Sequence, residues 1–511
     1  MEVVLRADRP LTEDELVAVA RRGAPVSLSP EALARLGSAR AAVDDLAAQD
    51  RPVYGVSTGF GALATRHIPV ELRGQLQRSL VRSHAASSGA EVEAEVVRGM
   101  VLLRLQTLAT GRTGVRPETA QAYAALLNAG ITPLVREHGS LGCSGDLAPL
   151  AHAALAVMGE GEVRLAGHRL PAGVALAQAG IEPVVLAEKE GLALINGTDG
   201  MLAMLMLACA DLQLLLRTAD LTAAMSLEAL LGTDRVLAAD LMALRPHPGQ
   251  AVAAANMRRI LADSPLVASH RGPEDARVQD AYSVRCAPQV AGAARDTLVH
   301  ARLVAAREAA SAIDNPVLLP DGRVESNGNF HGAPLAYVLD FLAIPVADVA
   351  SMSERRTDRM LDAHRSHGLP AFLAHDPGVD SGLMIAQYTQ AGLVSDLKRL
   401  AVPASVDSIP SSAMQEDHVS MGWSAGRKLL RAVDGLTRVL AIELLAAARA
   451  LDLRAPVQPA AATSAAVTAL RTVVPGPGPD RYLSAEIEAA VEMVRSGAAL
   501  AAVEAVTGPL E

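Results

Sequence analysis

From Gly200 to Gly232 the chain reads GMLAMLMLACADLQLLLRTADLTAAMSLEALLG, apolar on nearly every face of the helix that its spacing predicts. A helix of that kind has to run through an interior. Its most apolar run, MLAMLMLACA from Met201 to Ala210, meets Asp211 at about half a membrane span, which favours the inside of a bundle over a bilayer. ALARLGSARAAVDDLAAQ and VVRGMVLLRLQTLATG are amphipathic candidates, and RDTLVHARLVAAREAASAI and RKLLRAVDGLTRVLAIELLAAARALDL follow at helical spacing. Half of the 511 residues are apolar but only 2% are aromatic, and the alanine and leucine behind that bias favour helices. Strand-like runs such as PVYGVST and GEVRLAGHRL are few and short, and neither βαβ alternation nor an internal repeat is visible. The expected fold is mainly α, a long-helix bundle with a small mixed N-terminal part. Its mixed region covers about residues 1–110, including Tyr54 and His84, and the helical bundle about 111–511, in one large unit.

Forty-six Lys and Arg against 56 Asp and Glu give a net charge of −10, with both signs mixed along the chain. No basic stripe exists to neutralise phosphates, which argues against a nucleic-acid partner. Cys143, Cys209 and Cys286 are too few and too scattered for a disulfide framework, and the opening MEVVLRADRPLTEDEL meets charge at once. A cytoplasmic protein with no membrane partner is expected.

The rare residues gather in loops. Tyr54, Phe60, Tyr282 and Phe330 all lie in glycine-, proline- or polar-rich segments, as do Cys143 and Cys286. Loops on a rigid scaffold are where sites are built, although any one of these rings could simply pin a loop to the bundle. Familiar motifs fit poorly. GFGALA lacks the acid that a dinucleotide fold needs about 20 residues later. GCSG lacks the spacing of a nucleophile elbow, and the adjacent Glu416, Asp417 and His418 would point in different directions on a helix.

The segment GSLGCSGDLAPLAH, Gly139 to His152, remains. One reading is a glycine-rich helix entry with Asp146 as its N-cap. The other is a reaction of the backbone with itself. Attack of the Gly145 nitrogen on the Cys143 carbonyl carbon closes a five-membered ring, and loss of water from that ring and from the Ser144 side chain leaves a conjugated exocyclic methylene. Glycine suits the attacking position because it has no β-carbon. Position 143 contributes only its carbonyl. Side chains include no strong organic electrophile, so a chain that needs one borrows a cofactor or makes it.

SLGCSGDLAPL resembles the prosthetic-group motif of the histidine/phenylalanine ammonia-lyase family, in which an Ala-Ser-Gly-type tripeptide becomes methylidene-imidazolone (MIO). The likeness runs through nearly the whole chain in order: YGVSTGFG, SHAASSG, KEGLALINGTDG, RVQDAYSVRCAPQV, DNPVLLPDGRVESNGNFH and SIPSSAMQEDHVSMGW. Cys at the first tripeptide position and NGTDGM are shared with the actinobacterial histidine-type members.

The resemblance implies non-oxidative deamination of L-histidine to trans-urocanate and ammonia, the opening step of histidine breakdown. It further implies an MIO formed from Cys143, Ser144 and Gly145, no metal and no nucleotide, and a homotetramer with shared active sites. By the same resemblance Tyr54 is the base that takes the β-proton, and Arg285 clamps the substrate carboxylate. Asn196, Tyr282 and Gln279 bond the MIO carbonyl or the substrate, Phe330 packs near the MIO, and Asp146 assists cyclisation. His84, after Ser83, and Glu416 face the imidazole end. A tyrosine or phenylalanine ammonia-lyase or aminomutase of the same fold, and an inactive helical scaffold, are the alternatives.

Overall fold

The long apolar stretch forms one helix, Asp199–Ala229, whose 31 residues extend about 46 Å. Every residue from Met201 to Cys209 is buried, so the helix is apolar all round because it is surrounded. The computed structural model describes residues 2–48, 58–59, 66–272 and 278–511; Tyr54 and Phe60 lie outside the described residues. Within them the chain is mainly α, with twenty α-helices and nine short strands. Local chemistry starts several helices. Thr12 and Glu15 form a reciprocal capping box ahead of Glu13–Arg22, and Ser29 caps Pro30–Ala47 with proline at its first position.

Two expectations are corrected. VVRGMVLLRLQTLATG falls in the Ala94–Ala109 helix, which is buried from Gly99 through Ala109 rather than amphipathic, Arg104 included. Among the described residues one βαβ unit also exists. Strands Val3–Leu5 and Val26–Leu28 pair in parallel around the Glu13–Arg22 helix, and three-residue strands are too short to display a period of two. GEVRLAGHRL does form strands: Glu162–Leu165 pairs antiparallel with His168–Pro171 through a two-residue turn with both central φ positive, 49° at Ala166 and 82° at Gly167.

The described residues fall into two compact units, each assembled from separate stretches of chain. The first comprises Met1–Ala210, Ala301–Asp340 and Pro403–Arg427; the second comprises Asp211–His300, Phe341–Val402 and Lys428–Glu511. Two helices, Asp199–Ala229 and Ala333–Leu361, have the length and apolar content to cross a membrane, but their most apolar windows are 78% and 61% buried within the protein, as core helices are.

Candidate active site

In the first unit, the GSLGCSGD segment enters the Leu147–Val157 helix through a glycine-dependent turn. Gly145 has φ +73°, and a Cβ there would overlap the Gly197 carbonyl oxygen. Gly142 has φ +66°, and a Cβ there would overlap Ser420 Oγ. Backbone bonds lock the loop in place. Asp146 N donates to Gly197 O at 2.7 Å, Gly332 N donates to Gly142 O at 3.0 Å, and Met421 N donates to Leu141 O at 2.8 Å. Ser420 Oγ adds a bond to Gly142 O at 2.7 Å.

Asp146 occupies the N-cap position but makes no side-chain cap bond to its own helix. Its carboxylate instead accepts from Ser140 Oγ at 2.9 Å and from Met201 N at 2.9 Å, in the first turn of the Asp199–Ala229 helix. The capping expectation is therefore corrected: the acid ties the tripeptide loop to the start of another helix. Burial pushes its carboxyl up to about 7 and the charge of Asp199 pushes the same way, while the Met201 and Ser140 bonds pull it down.

Asn196 is 1% exposed, and its Nδ2 donates to Ser144 O and to Ser144 Oγ, both at 2.9 Å. Its Oδ1 is buried and has no hydrogen-bond partner among the described residues. A buried amide aimed at Ser144 with half its bonding capacity unused, next to a glycine that leaves no room for a Cβ, suits a tripeptide that condenses into a ring. These residues fit the MIO group.

Cys143 is no nucleophile. Burial, together with the neighbouring Glu416, pushes its thiol up to about 12, so it stays protonated, and Sγ donates to Glu416 Oε2 at 3.2 Å. Ser411 Oγ donates to the same oxygen at 2.8 Å. His84 ends the Val70–His84 helix, and its Nδ1 lies 2.9 Å from Leu80 O, which puts the proton on Nδ1 and leaves Nε2 as an acceptor. Burial lowers its pKa, with the Leu80 bond and the charge of Glu416 opposing. Phe330 is half-buried in a loop ordered by Asn327, whose Nδ2 donates to Asp314 O at 2.9 Å and whose Oδ1 accepts from Asn329 N at 2.9 Å.

Beneath this loop lie charges that the sequence reading missed. Arg104 is fully buried, donates to Ile313 O at 2.8 Å and sits 3.5 Å from Asp199. A Cβ on Gly197 would overlap both Asp199 Oδ2 and Arg104 Nη1. The signal was present in VLLRLQTL, since a guanidinium inside an apolar helix must find a partner. Ser140, Ser411 and Ser420 gave none, because a serine in a polar loop has no special pattern.

The first unit thus brings together His84, Cys143, Ser144, Gly145, Asp146, Asn196 and Glu416, and it also carries Phe330. In the second unit, the Arg285 guanidinium stacks on the Tyr282 ring, 4.6 Å from its centroid. Arg285 Nε is buried without a partner among the described residues, Tyr282 is 70% exposed, and Gln279 is exposed.

Comparison with known proteins agrees with this architecture. The family model for aromatic amino acid lyases matches residues 11–472. Histidine ammonia-lyase of Streptomyces avermitilis is 66% identical, with all of both chains covered. A crystal structure of histidine ammonia-lyase from Trypanosoma cruzi is 40% identical with a TM-score of 0.91, covering 99% of this chain and 96% of its own. Tyrosine aminomutase from Streptomyces globisporus is 37% identical with a TM-score of 0.95 over the whole of both chains. The chain belongs to the aromatic amino acid lyase family. It is a carbon–nitrogen lyase of the ammonia-lyase type.

Proposed function

We propose that the chain is a histidine ammonia-lyase that converts L-histidine to trans-urocanate and ammonia, working in the cytoplasm as a homotetramer with shared active sites. Cys143, Ser144 and Gly145 condense with loss of two waters: a bond forms from the Gly145 nitrogen to the Cys143 carbonyl carbon, one water leaves the ring, and the second carries off the Ser144 hydroxyl. The resulting MIO supplies an electrophile that makes an amine a competent leaving group. No metal or nucleotide takes part.

The chain's own residues do the rest. Asn196 Nδ2 holds the Ser144 carbonyl in the orientation that condensation needs. Asp146, with its carboxyl raised to about 7, exchanges protons near neutrality at the entry to the loop. Tyr54 takes the β-proton. Arg285 offers two parallel donors to the substrate carboxylate, with Tyr282, Gln279 and Phe330 around the reacting centre. His84 Nε2 and Glu416 meet the two sides of the imidazole.

The observation that carries the reading is the bond from Cys143 to Glu416 within the tripeptide, with His84 in reach of the Glu416 charge. A carboxylate and an imidazole there, both half-buried, suit a polar ring and would go unpaired against a phenyl ring. The names of the Streptomyces and Trypanosoma relatives support it as well. Urocanate formation by wild type and by Ser144→Ala tests it, alongside assays on L-tyrosine and L-phenylalanine. Turnover of tyrosine but not histidine would overturn the assignment.

A further inference from the structure

Ring closure uses the carbonyl of Cys143 and leaves its side chain for other work. That side chain is not idle. The residue is 7% exposed, and its Sγ reaches Glu416 Oε2 across 273 positions of sequence. Burial and the adjacent carboxylate keep it an S–H donor rather than a thiolate. Ser411 Oγ meets the same Oε2, so both donors gather on one oxygen, and Oε1 receives none from the described residues. A carboxylate gripped twice at one oxygen is fixed in rotamer with its other oxygen open.

We propose that Cys143 is a positioning residue for substrate specificity: its thiol holds Glu416 so that Oε1 is presented to a ring N–H of the substrate. This rests on the reading of Glu416 as the imidazole partner. It gives the first tripeptide residue a second role, linking the position of the electrophile to the group that selects the ring. Alanine in that place could form the ring but could not hold the carboxylate.

Three variants of the full-length enzyme test it: Cys143→Ala, Cys143→Ser and Glu416→Gln. Intact mass comes first, and Cys143→Ala still loses two waters because its carbonyl is unchanged. Its KM for L-histidine rises about fivefold with a smaller change in kcat, and Cys143→Ser, which keeps a donor, returns to within about twofold of wild type. The infrared S–H stretch gives a reading that needs no substrate. In Glu416→Gln the Cys143 band shifts while those of Cys209 and Cys286 stay. The proposal is overturned by an unchanged KM in ring-forming Cys143→Ala, or by an S–H band indifferent to Glu416→Gln. A Cys143→Ala chain that keeps both waters also overturns it, since the thiol would then serve cyclisation. A wild-type enzyme that ignores histidine, with the band shift still seen in Glu416→Gln, would sink the functional reading and leave the thiol–carboxylate contact standing.

Discussion

Asp199 and Glu228 stand at opposite ends of one helix, both acids are buried, and burial raises both carboxyls above their ordinary values. Their surroundings differ. Glu228 accepts from Ser264 Oγ at 2.5 Å, from Ala460 N at 2.6 Å and from Thr463 Oγ1 at 2.6 Å, so both oxygens are satisfied. Among the described residues Asp199 Oδ2 has no hydrogen bond and meets Arg104 Nε only as an ion pair at 3.5 Å, and the buried Arg104 Nη1, Tyr123 Oη and Asn196 Oδ1 have no hydrogen-bond partner. Unmet buried polar groups destabilise a fold, by about 1–3 kcal/mol each, so they persist where something other than stability retains them. The Glu228 end ties helices together. The Asp199 end lies under the tripeptide loop, where Gly197 carries its position directly to Asp146 N and to the Cβ-less face of Gly145.

The comparison breaks most easily at Ser144. Ser144→Ala deletes the hydroxyl that has to leave, so activity falls by at least about a thousandfold, some 4 kcal/mol in the barrier. Thermal stability stays within about 0.5 kcal/mol, because among the described residues the half-buried hydroxyl bonds only Asn196. Intact mass shows the two-water loss missing. An active Ser144→Ala protein would remove the distinction between the two ends altogether.

Next in size is the contrast between the acids themselves. Glu228→Ala leaves the buried Ser264 hydroxyl and Ala460 N–H unpaired, Thr463 keeping the Ala460 carbonyl, and destabilises the fold by about 3–5 kcal/mol in urea unfolding, while the folded fraction still forms the ring. Asp199→Asn removes the counter-charge of the buried Arg104 and so destabilises the fold as well, by about 3 kcal/mol, but it adds slower two-water loss by mass and activity down about tenfold. Unchanged two-water loss and activity in Asp199→Asn would show that this end serves stability alone.

A pH titration sharpens the same point. Asp146 is raised to about 7, chiefly by burial, from 3.8. Below about pH 4 both folded and unfolded chains carry the proton, and the full contribution is present. Between about pH 4 and 7 the unfolded chain ionises while the folded one resists, so stability declines by something on the order of 4 kcal/mol and is level above that. Asp146→Asn removes this decline. A variant with the wild-type slope would assign the titration elsewhere.

The helix from Asp199 to Ala229 was legible because an unbroken apolar surface has one physical solution, and the tripeptide because glycines and rare residues crowd into one loop. Asp146 was misread. An acid between a turn and an apolar run looks like a cap, but its bond to Met201 N crosses 55 positions, and contacts of that range leave no local pattern. The same holds for Glu416, whose neighbours in sequence give no hint of Cys143. The residues carried over by resemblance outran what spacing alone could supply, since spacing names chemistry and not its geometry.

The smallest effect concerns how Glu416 is held from below. Ser411 N donates to Glu416 O at 2.9 Å and Glu416 N to Ser411 O at 3.3 Å, closing a tight loop between them. Inside it Ser412, Ala413 and Met414 have φ of 52°, 52° and 70°, three left-handed residues in a row and none of them glycine. Each such residue is strained by roughly 1–2 kcal/mol, and strain kept beside a site fixes a side chain that a relaxed turn would let wander. Ala413 is exposed, so its methyl group has no packing to lose. Ala413→Gly relieves one of the three positions but widens the unfolded ensemble by about 0.4–1 kcal/mol, for a net gain of about 0.5 kcal/mol. The looser turn raises KM for L-histidine by about twofold. A gain in stability with no change in KM would mean that the two donors on Oε2 hold the carboxylate without help from the strained turn.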